Sequence, residues 1–175
     1  MKLPRWLGFV LVIACLVALT AAFFFLNGQH RVTGPVDATA TSCHSSGGLP
    51  DPKCTPGAVD PRVTQVNIHA TICVSGYTAT IRPPSAYTEA LKTQQIKEYG
   101  YVDTNLADYE EDHLIPLELG GNPTDTKNLW PEPRGGAESA TDKDRVENAL
   151  HAKVCGGALT LNAAQSAIAI DWESA

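Results

Sequence analysis

The sequence predicts an α+β fold: a small disulfide-bonded domain held behind an N-terminal transmembrane helix. Three observations point there. Residues 6–26 are 21 positions without a charge, and about 20 apolar residues suffice to cross a bilayer. Beyond that run lie Cys43, Cys54, Cys73 and Cys155, an even number that reads as two disulfides in an exported chain. After them come short extended patterns broken by Gly and Pro, interleaved with stretches of helical periodicity.

Lys2 and Arg5 precede the apolar run, so the positive-inside rule keeps the N-terminus cytoplasmic and sends the remainder outside. The rival is a cleaved signal peptide, whose apolar core is usually shorter, ~7–15 residues. Thr20-Ala21-Ala22 offers small residues for cleavage, but Phe23-Phe24-Phe25 directly after them makes a poor mature start. An uncleaved single-pass anchor over 1–26 is therefore the expectation, with secretion after cleavage as the alternative.

From residue 27 to about 60 the chain is rich in Gly, Pro, Ser, Thr and Ala and poor in large apolar residues, which describes a flexible tether. The folded domain is expected over 61–175. All 19 acidic residues follow the apolar run, against 11 of the 13 basic ones, a balance of −8 in the exported part. Non-specific nucleic-acid binders are usually basic, because neutralising phosphate supplies their affinity. This acidity counts against a tight, processive DNA binder. The four cysteines allow three pairings, and no pair has the Cys-x-x-Cys spacing of a structural zinc site.

Residues 63–68 mix apolar and polar positions as a half-buried strand does, and 71–74 and 77–81 also read as extended, with Ser75-Gly76 as a turn. Pro83-Pro84 ends that region. Ser85 caps a helix running to Tyr99, which Gly100 terminates. Residues 110–119 form the first arm of a hairpin, 120–127 its loop, and 128–130 the start of its return. A helix over 138–154 follows, with Val146, Leu150 and Val154 on one face. A last helix over 162–172 has Asn162 as cap and Gln165 three later, and buries Ala164, Ile168 and Trp172.

The stretch that carries chemistry is Glu110-Glu111-Asp112-His113-Leu114-Ile115-Pro116-Leu117-Glu118-Leu119-Gly120-Gly121, followed by Asn128-Leu129-Trp130-Pro131. It sets a carboxylate beside a histidine at the end of an extended segment. An oxygen of Asp112 suits a hard divalent cation, and a neutral imidazole at His113 suits removal of a proton from water. Strand alternation separates these two side chains, so a bulge is expected to bring them together.

Asp112-His113, Pro116, Gly120-Gly121 and Asn128-Leu129, in that order and spacing, resemble the HNH nuclease motif, a β-hairpin and helix wrapped around one metal ion. The resemblance implies a ββα-metal core, with Asp112 as metal ligand, His113 as general base, and Asn128 as ligand or loop brace. The helix position that completes the motif is not matched. Glu138 is the strong ligand nearest in spacing, and its competing account is a favourable charge in a helix's first turn. The implied cofactor is a divalent ion, Mg²⁺ before Mn²⁺ or Zn²⁺, and the implied substrate is nucleic acid.

The segments around Thr71-Ile72-Cys73, Val154-Cys155-Gly156-Gly157 and Asp171-Trp172 are similar to small exported bacterial proteins with this HNH-like core. That similarity implies Cys73 paired with Cys155 and Cys43 with Cys54. The expected function is a metal-dependent endonuclease acting on DNA or RNA outside the cytoplasm. The alternative is a non-catalytic envelope-anchored binding module on a degenerate HNH scaffold.

Overall fold

A computed structural model describes residues 43–136 and 138–175. They build a small mixed α/β domain with two disulfides. The expected membrane anchor over 1–26 and the tether residues 27–42 lie outside the described residues. Among the described residues no helix is long and apolar enough to cross a membrane.

The centre of the domain is an antiparallel hairpin of β1 (Tyr109–His113) and β2 (Leu129–Pro133). Its register is continuous from Tyr109↔Pro133 to His113↔Leu129, so the bulge expected at Asp112 is absent. Alternation therefore sends Asp112 and Glu132 to one face, and Glu111 and His113 to the other. Pro116 ends the first arm earlier than expected: residues 117–119 form a 3₁₀ turn rather than strand. Gly120 then turns the chain at φ 73°. A Cβ on Gly121 would overlap the carbonyl oxygen of Ile115, which is why only glycine fits there.

Helices pack on both faces of the hairpin. On one side is α2 (Ser85–Glu98), preceded by the short α1 (Tyr77–Ile81). On the other is α3 (Ala140–Cys155), followed by α4 (Leu161–Asp171). Ile115, Leu119, Leu150, Val154, Ala164, Ile168 and Trp172 share one apolar core with Val63, Ile68 and Ile72. Cys43, Tyr99, Leu114 and Trp130 form a second cluster. Trp130 and Trp172 are thus core residues.

Several local expectations are corrected. Residues 63–68 and 71–74 are turns around a 3₁₀ turn (Ile68–Ala70), and 77–81 is helix rather than strand. Among the described residues no neighbouring strand is there to pair with, and the Asn67 carboxamide captures the Thr64 N–H at 2.7 Å instead. Val66 is consequently 96% exposed. Pro84, not Ser85, occupies the cap of α2. Thr160, not Asn162, caps α4, its Oγ1 accepting from Ala163 N, because starting the helix earlier buries Leu161.

The stretch 43–60, expected within the tether, is fastened to the domain. Cys43 is bonded to Cys54, and Thr55 and Asp60 are buried. Gly57 N donates to Lys127 O, Asp60 N to Gly120 O, and Asn122 N to Ala58 O. These bonds stitch 57–60 against the loop that leaves the Asp-His pair, so a segment with little apolar content is held by backbone pairing. The second disulfide joins Cys73 to Cys155. Both bridges are the ones implied by the similarity to exported HNH-like proteins.

Candidate functional site

His113 ends β1 facing the α2 side. Its Nε2 lies 3.1 Å from the carbonyl oxygen of Pro123; as the donor there, Nε2 carries the proton and Nδ1 is left basic. Burial lowers the imidazole's pKa, against the pull of Asp112, so the ring is neutral at pH 7. His113 lines a cleft of about 220 Å³ together with Arg82, Lys92, Glu111 and Arg134. The buried Lys92 donates to Glu89 at 3.0 Å, and Arg134 pairs with Glu110 at 2.8 Å. Both Glu111 oxygens are buried without a partner. Burial, then the Asp112 charge, pushes that carboxyl up to about 8.

Asn128 braces the loop between the strands. Its Oδ1 accepts from Ile115 N at 3.0 Å, and its Nδ2 donates to Ile115 O at 2.9 Å and Asn122 O at 3.1 Å. The residue is fully buried, and its carboxamide oxygen is already committed. Of the two roles implied for it, it fills the brace.

Asp112 faces α3, where the side chain that reaches it is a cation. Lys143 Nζ lies 2.5 Å from Asp112 Oδ2, 3.0 Å from the carbonyl oxygen of His113 and 2.5 Å from Glu147 Oε1. Burial would strip the Lys143 proton, but the Asp112, Glu147 and Glu132 carboxyls hold it far above the ordinary range. Burial likewise opposes ionisation of Asp112, and the Lys143 ammonium overrides it, keeping that carboxyl below its usual value. Glu147 moves the other way: burial pushes it up to about 7 although Lys143 opposes. The ammonium's charge is therefore spent mainly on Asp112.

Glu132 is fully buried, and its carboxyl is hydrogen-bonded to that of Asp112. Burial, then the Asp112 charge, pushes it up to about 10. It is a neutral acid at pH 7, able to share its proton with Asp112.

Glu138, the expected third ligand, is not part of this cluster. It lines a separate cavity with Gly48, Trp130 and Gly136. The three residues expected to hold a divalent ion thus do not fit one as they stand. Asp112 is taken by Lys143, Asn128 by backbone, and Glu138 is elsewhere. Glu132, Lys143 and Glu147 do not stand out as site residues in the sequence. The Lys143–Glu147 spacing of i,i+4 was the visible signal; the link to Asp112, 31 residues away, had none.

A second constellation lies behind the hairpin. The ligand atoms of Cys73, His151 and Cys155 lie within 4.8 Å of one another, and such a Cys-His-Cys cluster could hold a metal ion. Here the two cysteines are joined as a disulfide, which withholds the thiolates a metal takes as ligands. His151 Nε2 meets Ile72 O at 3.0 Å and Cys155 Sγ at 3.3 Å.

No family model, curated protein or solved structure matches this chain.

Proposed function

We propose that this domain is an extracytoplasmic HNH-type endonuclease that hydrolyses phosphodiester bonds of DNA or RNA. The observation that supports it best is the setting of His113. Its imidazole is neutral, oriented by the Pro123 carbonyl, and lines a cleft that also holds Arg82, Lys92 and Arg134. In this role His113 Nδ1 takes a proton from water as the water oxygen attacks phosphorus, and Arg82, the cleft cation not paired with Glu89 or Glu110, offsets the charge that develops. The oxygen on the far side of the phosphorus leaves and takes up a proton. Asn128 keeps the loop that carries Pro123 in place.

The disulfides agree with an oxidising compartment, and so with a domain exported behind an anchor or after signal cleavage. The divalent ion that the motif implies at Asp112, Mg²⁺ before Mn²⁺ or Zn²⁺, requires Lys143 to leave that carboxylate. A second reading has its own support: an ammonium at Asp112 and an acidic domain suit a non-catalytic binding module that kept the hairpin and helix. Incubating the protein with plasmid DNA and with RNA, with added Mg²⁺, Mn²⁺ or Zn²⁺ or with chelator, separates the two. Cleavage that His113→Ala abolishes supports the nuclease. Intact substrate in every condition leaves the binding module.

A further inference from the structure

We propose that the Lys143 ammonium is the resident cation of this hairpin-and-helix core, and that the native chain accordingly takes no divalent ion at Asp112. The inference rests on reading the Asp112–His113 hairpin as the functional site, but its test does not depend on cleavage.

A lysine ammonium has three N–H groups, and each has an acceptor here: Asp112 Oδ2, His113 O and Glu147 Oε1. The side chain is 1% exposed, so Lys143 has no donor left for a phosphate. Its position on α3 lets the four-carbon stem span from helix to strand, so the charge is delivered to the hairpin from within the fold.

The ammonium sits among oxygens. Asp112, Glu147 and the His113 carbonyl surround it at Nζ–O distances of 2.5 to 3.0 Å, and oxygen is the donor type that hard divalent cations also prefer. Glu132 is fully buried beside this pair, and as a neutral acid it hydrogen-bonds Asp112, where the charges of Asp112, Lys143 and Glu147 all act on it. A divalent ion entering here would have to expel a buried ammonium and leave it unpaired, which is strongly unfavourable.

The proposal yields two expectations. The wild-type protein does not bind Mn²⁺ saturably, and whatever cleavage it performs persists in chelator. Removing the ammonium should free Asp112 and Glu147, whose oxygens both lie 2.5 Å from Lys143 Nζ, to take a cation in its place.

The test is Mn²⁺ binding by the folded protein, read from loss of the free-ion electron paramagnetic resonance signal and from the thermal midpoint with and without Mn²⁺. Wild type and Lys143→Arg should leave the signal and midpoint unchanged. Lys143→Ala should bind at least about tenfold more tightly than wild type, as a gained oxygen site allows, and Asp112→Asn in that background should remove the gain. Should Lys143→Ala fail to fold in chelator, recovery of its folded state on adding Mn²⁺ is the same result. Saturable binding to wild type that Asp112→Asn abolishes overturns the proposal. So does a Lys143→Ala protein that neither binds Mn²⁺ nor is rescued by it. Absence of cleavage in every arm would sink the nuclease reading alone and leave the binding result standing.

Discussion

Lys143 Nζ lies 2.5 Å from Asp112 Oδ2 across 31 residues of chain, with the lysine almost fully buried. With the bond from the same Nζ to His113 O at 3.0 Å, this contact fastens α3 to the end of β1, and with it the Asp-His pair. Removing one partner of a buried, hydrogen-bonded ion pair strands the other charge, typically at about 3–5 kcal/mol. Lys143→Met should lower unfolding free energy by that amount in urea titrations. A loss below about 1 kcal/mol, the worth of an exposed pair, would contradict the burial argument.

The pH dependence of stability should report on Glu132. Its folded-state pKa is raised to about 10 by burial and the Asp112 charge. A raised carboxyl pKa means that the folded state holds a proton the unfolded chain has lost. Stability from this group is therefore fully present below the unfolded value, near 4.5, and drains away as pH rises towards 10. Glu111 and Glu147, raised to about 8 and about 7, act in the same direction over narrower windows. One such group changes stability by at most about 1.4 kcal/mol per pH unit. Glu132→Gln, a close mimic of the neutral acid, should flatten the decline and unfold at higher denaturant than wild type at about pH 9. Identical pH slopes for the two proteins would show that Glu132 is ionised in the fold.

Asn128→Ala removes three hydrogen bonds around Ile115 and Asn122. It leaves the buried Ile115 N–H without an acceptor, and unsatisfied buried groups cost about 1–3 kcal/mol each. The variant should lose roughly 2–4 kcal/mol and open the loop, seen as faster hydrogen exchange over 115–122. An unchanged exchange pattern would show that the loop is held by the 57–60 segment alone.

The two disulfides close loops of very different size, with separations of 11 and 82 residues. On chain-entropy grounds the longer loop stabilises more, by about 1.8 kcal/mol. Replacing Cys73 and Cys155 by Ser should therefore cost more than replacing Cys43 and Cys54. The reverse order would show that anchoring 43–60 to the domain matters more than closing the long loop.

The hairpin and the two C-terminal helices were legible in the sequence, because Pro116, Gly120, Gly121 and the Leu150–Val154 and Ala164–Ile168–Trp172 spacings act locally. The leading segments were not. In 63–68 and 77–81, β-branched residues suggest strands, but strand formation needs a partner, and local bonds such as Thr64–Asn67 win without one. The ordering of 43–60 was hidden because backbone bonds to Gly120, Asn122 and Lys127 leave no side-chain pattern. At the site, Asp112 and His113 stood out as a pair, yet the acids and base around Asp112 come from two other elements, β2 and α3. Only folding brings Glu132, Lys143 and Glu147 to Asp112.

The decisive comparison is wild type against His113→Ala on supercoiled plasmid and on single-stranded RNA, each with divalent ions and with chelator. Wild type should cleave at least one substrate. His113→Ala, with its thermal unfolding intact, should be slower by a factor of about 10²–10⁴, the usual worth of a general base. Intact substrate throughout, or a His113→Ala protein that cleaves as fast as wild type, would contradict the nuclease reading.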